Sequence, residues 1–280
     1  MGRHAKTNVV IEAAKGILTE QHPMTVRQVY YQLVSRQVIK NNRGEYQAVS
    51  KALVAARREG IVPWAWIEDR LRQAREVSMW SDLADFAQTC QQAYRRDVWQ
   101  TQPRYLEVWL EKDALSGIFE DALRDYGMTL NVGRGYDGWA SIHNAAVRFG
   151  DGENVTVFYF GDFDPSGEDM VRSLKERLAE CGSLPEIIKI ALNEEDIERY
   201  NLPSDFTKKG DTRRKAFVAR YGKKACVELD ALPVEVLRER LIEEVERRMD
   251  LKAWRAVRRQ EQADRLRLEK LLTGAVAGDG

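Results

Sequence analysis

The chain has 280 residues, with 44 Lys+Arg balanced by 44 Asp+Glu, 44% apolar and 31% charged residues. That length holds one large domain or two ordinary ones, and the cancelled charge excludes a uniformly basic nucleic-acid-binding protein. Three scattered cysteines, Cys90, Cys181 and Cys226, suit neither a disulfide framework nor a zinc site. The absence of a membrane-length apolar run, a signal-peptide core and a P-loop predicts a cytoplasmic protein with no membrane partner and no ATPase site of its own.

The charge is unevenly placed. Residues 1–104 carry 16 basic and 10 acidic side chains, net +6, so residues 105–280 are net −6. This split suggests a front part that meets phosphate and a back part that holds a metal. In the front part, residues 7–20 predict a helix with Val10, Ile11, Ala14, Ile17 and Leu18 on one face. His22-Pro23 breaks it, and Thr25 is a good N-cap for a helix over 26–37. Arg43-Gly44 reads as a polar turn before a third helix, 45–59, whose outer face carries Lys51, Arg57 and Arg58. IVPWAWIED then reads as extended, with Trp64 and Trp66 alternating. Three short helices and a hairpin-like stretch match a winged helix-turn-helix, although a plain three-helix bundle has the same spacing. A further helix is expected over 78–97. On helix 26–37, stepping about 100° per residue puts Tyr30 in the core and Tyr31 off it, partly exposed beside Arg27. An arginine there favours phenolate and can hold a phosphate.

In the back part, strands and helices alternate. Strands are expected over 106–111, 129–132, 154–162 and 186–192, with helices over 114–126, 138–149 and 167–180. This predicts a mostly parallel, Rossmann-like sheet with helices on both faces, whose ligands collect at the strands' carboxyl ends. Glu111 stands at the end of the first of these strands, and Asp162 and Asp164 end the third, in GDFDPSG. Carboxylates without His or Cys partners form a hard-oxygen set that suits Mg²⁺ or Mn²⁺. The bland alternative is an acidic turn, with Glu111 paired to Lys112 or an arginine.

These motifs resemble a known family. The order of a strand ending in Glu, a glycine turn and a strand ending in DxD resembles a Toprim domain. VWLEKDAL, GRGYDGWASI, FGDFDPSG and VELDAL are similar to the Toprim half of the DNA-cleaving chain of topoisomerase VI and of the meiotic double-strand-break transesterase, and TVRQVYY to their winged-helix motif. The resemblance implies a winged-helix domain over 1–100 and a Toprim domain with C-terminal helices over 101–280. It implies that Tyr31 is the DNA nucleophile, with Arg27 one turn before it, and that Glu111, Asp162 and Asp164 form the metal site. It further implies double-stranded DNA as substrate and a homodimer in which one protomer's tyrosine meets the other's metal site. The winged helix begins almost at once, which speaks against the separate ATPase chain of topoisomerase VI as a partner and favours the short stand-alone form of the family.

On this reading Tyr31 attacks a phosphodiester to give a 5′-phosphotyrosyl link, with Glu111 as general acid to the departing 3′-oxygen. Two rivals stay open: a metal-dependent hydrolase in which Tyr31 is a bystander, and a non-catalytic DNA-binding protein. Residues 207–224 carry eight basic side chains and one acidic, net +7. Lys208, Lys209, Arg213 and Arg214 among them are candidate DNA contacts, alongside Lys51, Arg57 and Arg58. Residues 234–272 predict a long charged helical region, with Val236, Leu237, Leu241, Val245 and Met249 packing on the sheet, and the tail GAVAGDG predicts disorder.

Overall fold

In the computed structural model, residues 5–68, 77–133, 138–203, 213–222 and 226–277 are described, without the side chains of 214 and 273–277. Helix α1 (Ala5–Glu20) buries the expected stripe Val10, Ile11, Ala14, Ile17 and Leu18. Strand β1 (Met24–Thr25) leads into α2 (Val26–Ser35). Thr25 caps α2: its hydroxyl accepts from the Gln28 amide while the Gln28 side chain accepts from the Thr25 amide. Two donors that helix geometry leaves orphaned are thereby satisfied. Helix α3 (Arg43–Arg58) starts earlier than expected, because Asn42 accepts from the Glu45 amide and caps it. Arg43-Gly44 is thus its first turn and not a separate one.

The segment after α3 departs from the sequence reading. Trp64–Trp66 is a single 3₁₀ turn, and β2 (Ile67–Glu68) pairs in parallel with β1. No antiparallel hairpin follows α3 among the described residues, so the helices are shown and a wing is not. The two tryptophans do not alternate as strand residues: Trp64 lies under the Arg57 guanidinium, 4.7 Å from it, and Trp66 stacks on His22. Helix α4 (Leu83–Ala93) is shorter than expected, since the Asp82 carboxylate accepts from the Asp85 amide and starts it there.

Four strands, β3 (Tyr105–Leu110), β4 (Thr129–Val132), β5 (Val155–Phe160) and β6 (Glu186–Ala191), form an all-parallel sheet in the order β4-β3-β5-β6. The connecting helices are α5 (Ser116–Leu123), α6 (Trp139–Phe149) and α7 (Pro165–Glu180). Alternate strand residues serve the two faces. Trp109, Val155, Val157 and Tyr159 pack with α6 and α7 through Ile142, Phe149, Met170 and Leu174. Leu106, Val108, Leu110, Phe158 and Phe160 join one hydrophobic cluster with α5 and the three N-terminal helices. Covering both faces explains why these strands read as near-continuous apolar runs.

After β6 come α8 (Glu194–Arg199), α9 (Arg214–Tyr221), α10 (Val234–Arg248) and α11 (Leu251–Ala277). The expected long helical region is two helices, because Asp250 accepts from the amides of Lys252 and Ala253 and starts α11 anew. Leu237, Leu241, Val245 and Met249 are buried as expected, whereas Val236 is half-buried. α10 packs on the sheet side, and α11 packs instead on α4. The C-terminal stretch expected to be disordered is helical through Ala277, and residues 278–280 lie outside the described residues. All three cysteines are free thiols.

Candidate active site

The order of the sheet reverses between β3 and β5, the place where open parallel sheets leave a crevice at their carboxyl ends. Glu111 follows β3, and its amide donates to the Phe160 carbonyl at 2.9 Å, which holds it beside the end of β5. Its Oε2 accepts from the Tyr159 phenol at 3.1 Å and the Asp162 amide at 3.0 Å. Oε2 is thus engaged by two donors, and these bonds fix the orientation of the Glu111 side chain.

Two glycines make the turn after β5 possible. A Cβ on Gly161 would stand 2.4 Å from the Tyr159 hydroxyl, and one on Gly167 would stand 2.1 Å from the Asp162 carbonyl oxygen. Asp164 caps α7 by accepting from the Gly167 amide at 2.7 Å, with Pro165 in the first turn where a missing N–H costs nothing. Between the two aspartates, Phe163 forms an antiparallel bridge with Val227. That bridge draws VELDAL against the end of β5. The Leu229 amide then donates to Asp162 Oδ1 at 2.7 Å.

VELDAL supplies two carboxylates that the sequence reading did not assign to the site. Glu228 Oε2 accepts from Arg27 Nη1 at 2.8 Å and from Lys112 Nζ at 3.0 Å, and the Tyr31 phenol lies near the same carboxylate. Lys112 Nζ also lies 3.0 Å from Asp162 Oδ2 and 3.4 Å from Asp230 Oδ2. Asp230 is fully buried, and neither of its oxygens has a close hydrogen-bond donor among the described residues; its counter-charges are Lys112 and, at 3.9 Å, Arg27. Lys112 therefore does not pair with its neighbour Glu111 but stands among three other carboxylates. The signal for these residues was their place inside VELDAL and VWLEKDAL, but spacing alone does not say what they face.

Counted formally, Glu111, Asp162, Glu228 and Asp230 contribute −4 and Lys112 and Arg27 +2, leaving −2. The electrostatics register that excess. Asp162 is pushed up to about 7, chiefly by burial and also by Glu111 and Glu228, against the pull of Lys112 and the Leu229 amide. Burial likewise raises Asp230. Burial disfavours the Lys112 ammonium, but Asp162, Asp230 and Glu228 outweigh it and hold Lys112 above the ordinary lysine value. Glu228 is half-buried, and although that desolvation opposes its charge, Lys112 and Arg27 keep it below the usual carboxylate value.

The expected nucleophile needs correcting in one respect. Tyr31 is 6% exposed, so it is as buried as Tyr30 and not a partly exposed phenol. The face argument failed because segment 229–231 packs on α2 and covers its second flank. Burial first, then Glu228, raises the Tyr31 phenol above its ordinary value, and Arg27 only partly opposes them.

The three expected metal ligands are not gathered about one point. Among the described residues no group of three His, Cys, Asp or Glu side chains is placed to hold an ion. Asp164 faces its own helix, whereas Glu111 and Asp162 stand side by side. Glu111 and Asp162 are hard oxygen donors, the kind by which a divalent cation of the magnesium type is held through one or two carboxylates with waters and phosphate.

The basic candidates are scattered. Lys51 and Arg58 are exposed on α3, while Arg57 is half-buried over Trp64. Lys208 and Lys209 lie outside the described residues, as does the side chain of Arg214. Arg213 is engaged by Asp169 at 3.2 Å and by the Ser166 hydroxyl at 2.8 Å, and so braces the start of α7. No described helix is long and apolar enough to cross a membrane. No protein-family model and no curated protein matches the chain.

Proposed function

We propose that this protein is a Toprim-type enzyme that cleaves double-stranded DNA with Mg²⁺ or Mn²⁺, by attack of Tyr31 on a phosphodiester. The observation that carries the reading is the joining of a phenol to strand-end carboxylates within one chain. Tyr31 and Arg27 reach Glu228, Glu228 shares Lys112 with Asp162, and Asp162 adjoins Glu111. Glu111 and Asp162 would hold the cation, with Asp164 bound directly or through water, and a cation there would polarise a phosphate oxygen. Arg27 orients the phosphate for Tyr31. The phenol oxygen bonds to phosphorus as its proton leaves, the bond from phosphorus to the 3′-oxygen breaks, and that oxygen takes up a proton. The product is a 5′-phosphotyrosyl link and a free 3′-hydroxyl. The exposed Lys51 and Arg58 of α3 supply backbone contacts, and the chain works as a homodimer on the two strands.

Trapping reactions with denaturant tests this. Wild type leaves protein covalently attached to DNA 5′ ends, and Tyr31→Phe leaves intact DNA. The burial of Tyr31 favours one second reading, a hydrolase in which the same carboxylates and cation activate water. A Tyr31→Phe protein that cuts at the wild-type rate and leaves free ends would establish that reading in place of the first.

A further inference from the structure

Two groups made for a phosphate converge on Glu228 Oε2, the Arg27 guanidinium at 2.8 Å and the Lys112 ammonium at 3.0 Å, and the Tyr31 phenol lies near the same carboxylate. We propose that Arg27, Lys112 and Tyr31 form a phosphodiester-binding site, and that the Glu228 carboxylate occupies it as a built-in phosphate mimic in the free protein. Three observations support the exchange. Glu228 retains 33% of its side-chain surface and Arg27 44%, so the pair faces outward and can part. Asp230, at 0% exposure, stays beneath them and keeps Lys112 and Arg27 in place when Glu228 leaves. The exchange also conserves charge: Arg27 and Lys112 give +2, and Asp162, Asp230 and Glu228 give −3, so a singly charged phosphodiester replaces Glu228 one for one. The contact is therefore autoinhibitory: it covers Tyr31 until a DNA phosphate displaces it.

This deepens the proposed function and rests on its assignment of Arg27 and Tyr31 to a phosphate site. The test needs no cleavage. Binding of inorganic phosphate and of a short duplex is measured without metal, in wild type and in Glu228→Gln, with folding checked by circular dichroism. Removing the competing carboxylate frees the site, so Glu228→Gln is expected to bind both about tenfold more tightly. Adding Arg27→Gln or Lys112→Met to Glu228→Gln should return affinity to the wild-type level. Should Glu228→Gln fold poorly, Glu228→Ala asks the same question. Equal or weaker phosphate binding by the variant overturns the proposal, as does a gain that persists without Arg27 and Lys112. A gain for phosphate alone, with none for the duplex, overturns its nucleic-acid part. A Tyr31→Phe protein that still cleaves would sink the transesterase reading and leave this result standing.

Discussion

Asp162 carries the strain of the acidic cluster, and its titration has a definite sign. Unfolded, its carboxyl titrates near 4; folded, burial beside Glu111 and Glu228 pushes it up to about 7. Between those values the folded state binds the extra proton. The contribution to stability is fully present below about 4 and is lost as pH rises through 7. Glu228, held below its ordinary value, contributes with the opposite sign: its share is lost toward acid and does not change the comparison between mildly acidic and alkaline pH. The metal-free protein should therefore melt at a lower temperature at pH 8 than at pH 5.5. Added Mg²⁺ should raise the melting temperature more at pH 8, where the proton no longer shields the cluster. Asp162→Asn should flatten both dependences; thermal unfolding across the pH series, with and without Mg²⁺, checks this. The tyrosines separate in the same kind of measurement. Tyr30→Ala removes a buried ring and its hydrogen bond to Asn41, with an expected cost of about 3 kcal/mol. Tyr31→Phe removes only a hydroxyl that lies near Glu228, with an expected cost of about 1 kcal/mol. Chemical denaturation of the two variants gives the comparison.

At the scale of elements, what was legible in the sequence was local. The N-cap Thr25, the apolar stripe of α1 and the apolar runs of β3 and β5 each write their structure within a few residues, and each formed as expected. The starts of α3 and α4 were misplaced because Asn42 and Asp82 act as caps only once a side chain turns back onto the third amide ahead. The wing was expected from a run of aromatic and β-branched residues. In the fold those residues serve other partners, Trp64 the Arg57 guanidinium and Trp66 the His22 ring. The acidic pair Glu228 and Asp230 was illegible for a physical reason: their partners lie on α2 and after β3, far off in the chain. The turn after β5 yields a prediction of its own. Gly167→Ala places a carbon against the Asp162 carbonyl, where backbone has no room to give. It should cost at least about 1–3 kcal/mol, the range for overpacking, and displace Asp162 and Asp164 together. Denaturation measures the first effect, and loss of Mg²⁺-induced stabilisation measures the second.

Across the whole molecule, the N-terminal helices and one face of the sheet bury their apolar residues in a single cluster. α2 is fixed against the rest of the chain by its packing on segment 229–231 and by the Arg27–Glu228 pair. This bears on how a dimer would divide the chemistry. The family resemblance implies a phenol of one protomer facing the metal site of the other. Here the Tyr31 phenol lies near its own chain's Glu228, and Arg27 is paired with the same carboxylate. If α2 had to leave the shared core to reach a second protomer, Val29, Tyr30 and Leu33, which are now buried, would be exposed. At roughly 1.5–3 kcal/mol per large apolar side chain, that loss exceeds what one hydrogen bond at a new site returns. A nucleophile and carboxylates working in the same chain is the arrangement this geometry favours. Mixing Tyr31→Phe protein with Glu111→Ala protein distinguishes the two arrangements, because each mixed dimer then has one damaged group per chain. If each chain completes its own centre, no mixed dimer contains an intact one, and cleavage stays absent even where mixed dimers are shown to form. Recovery toward half of the wild-type activity per mixed dimer would instead mean that the two chains share their centres, and that α2 or the acidic cluster moves on assembly.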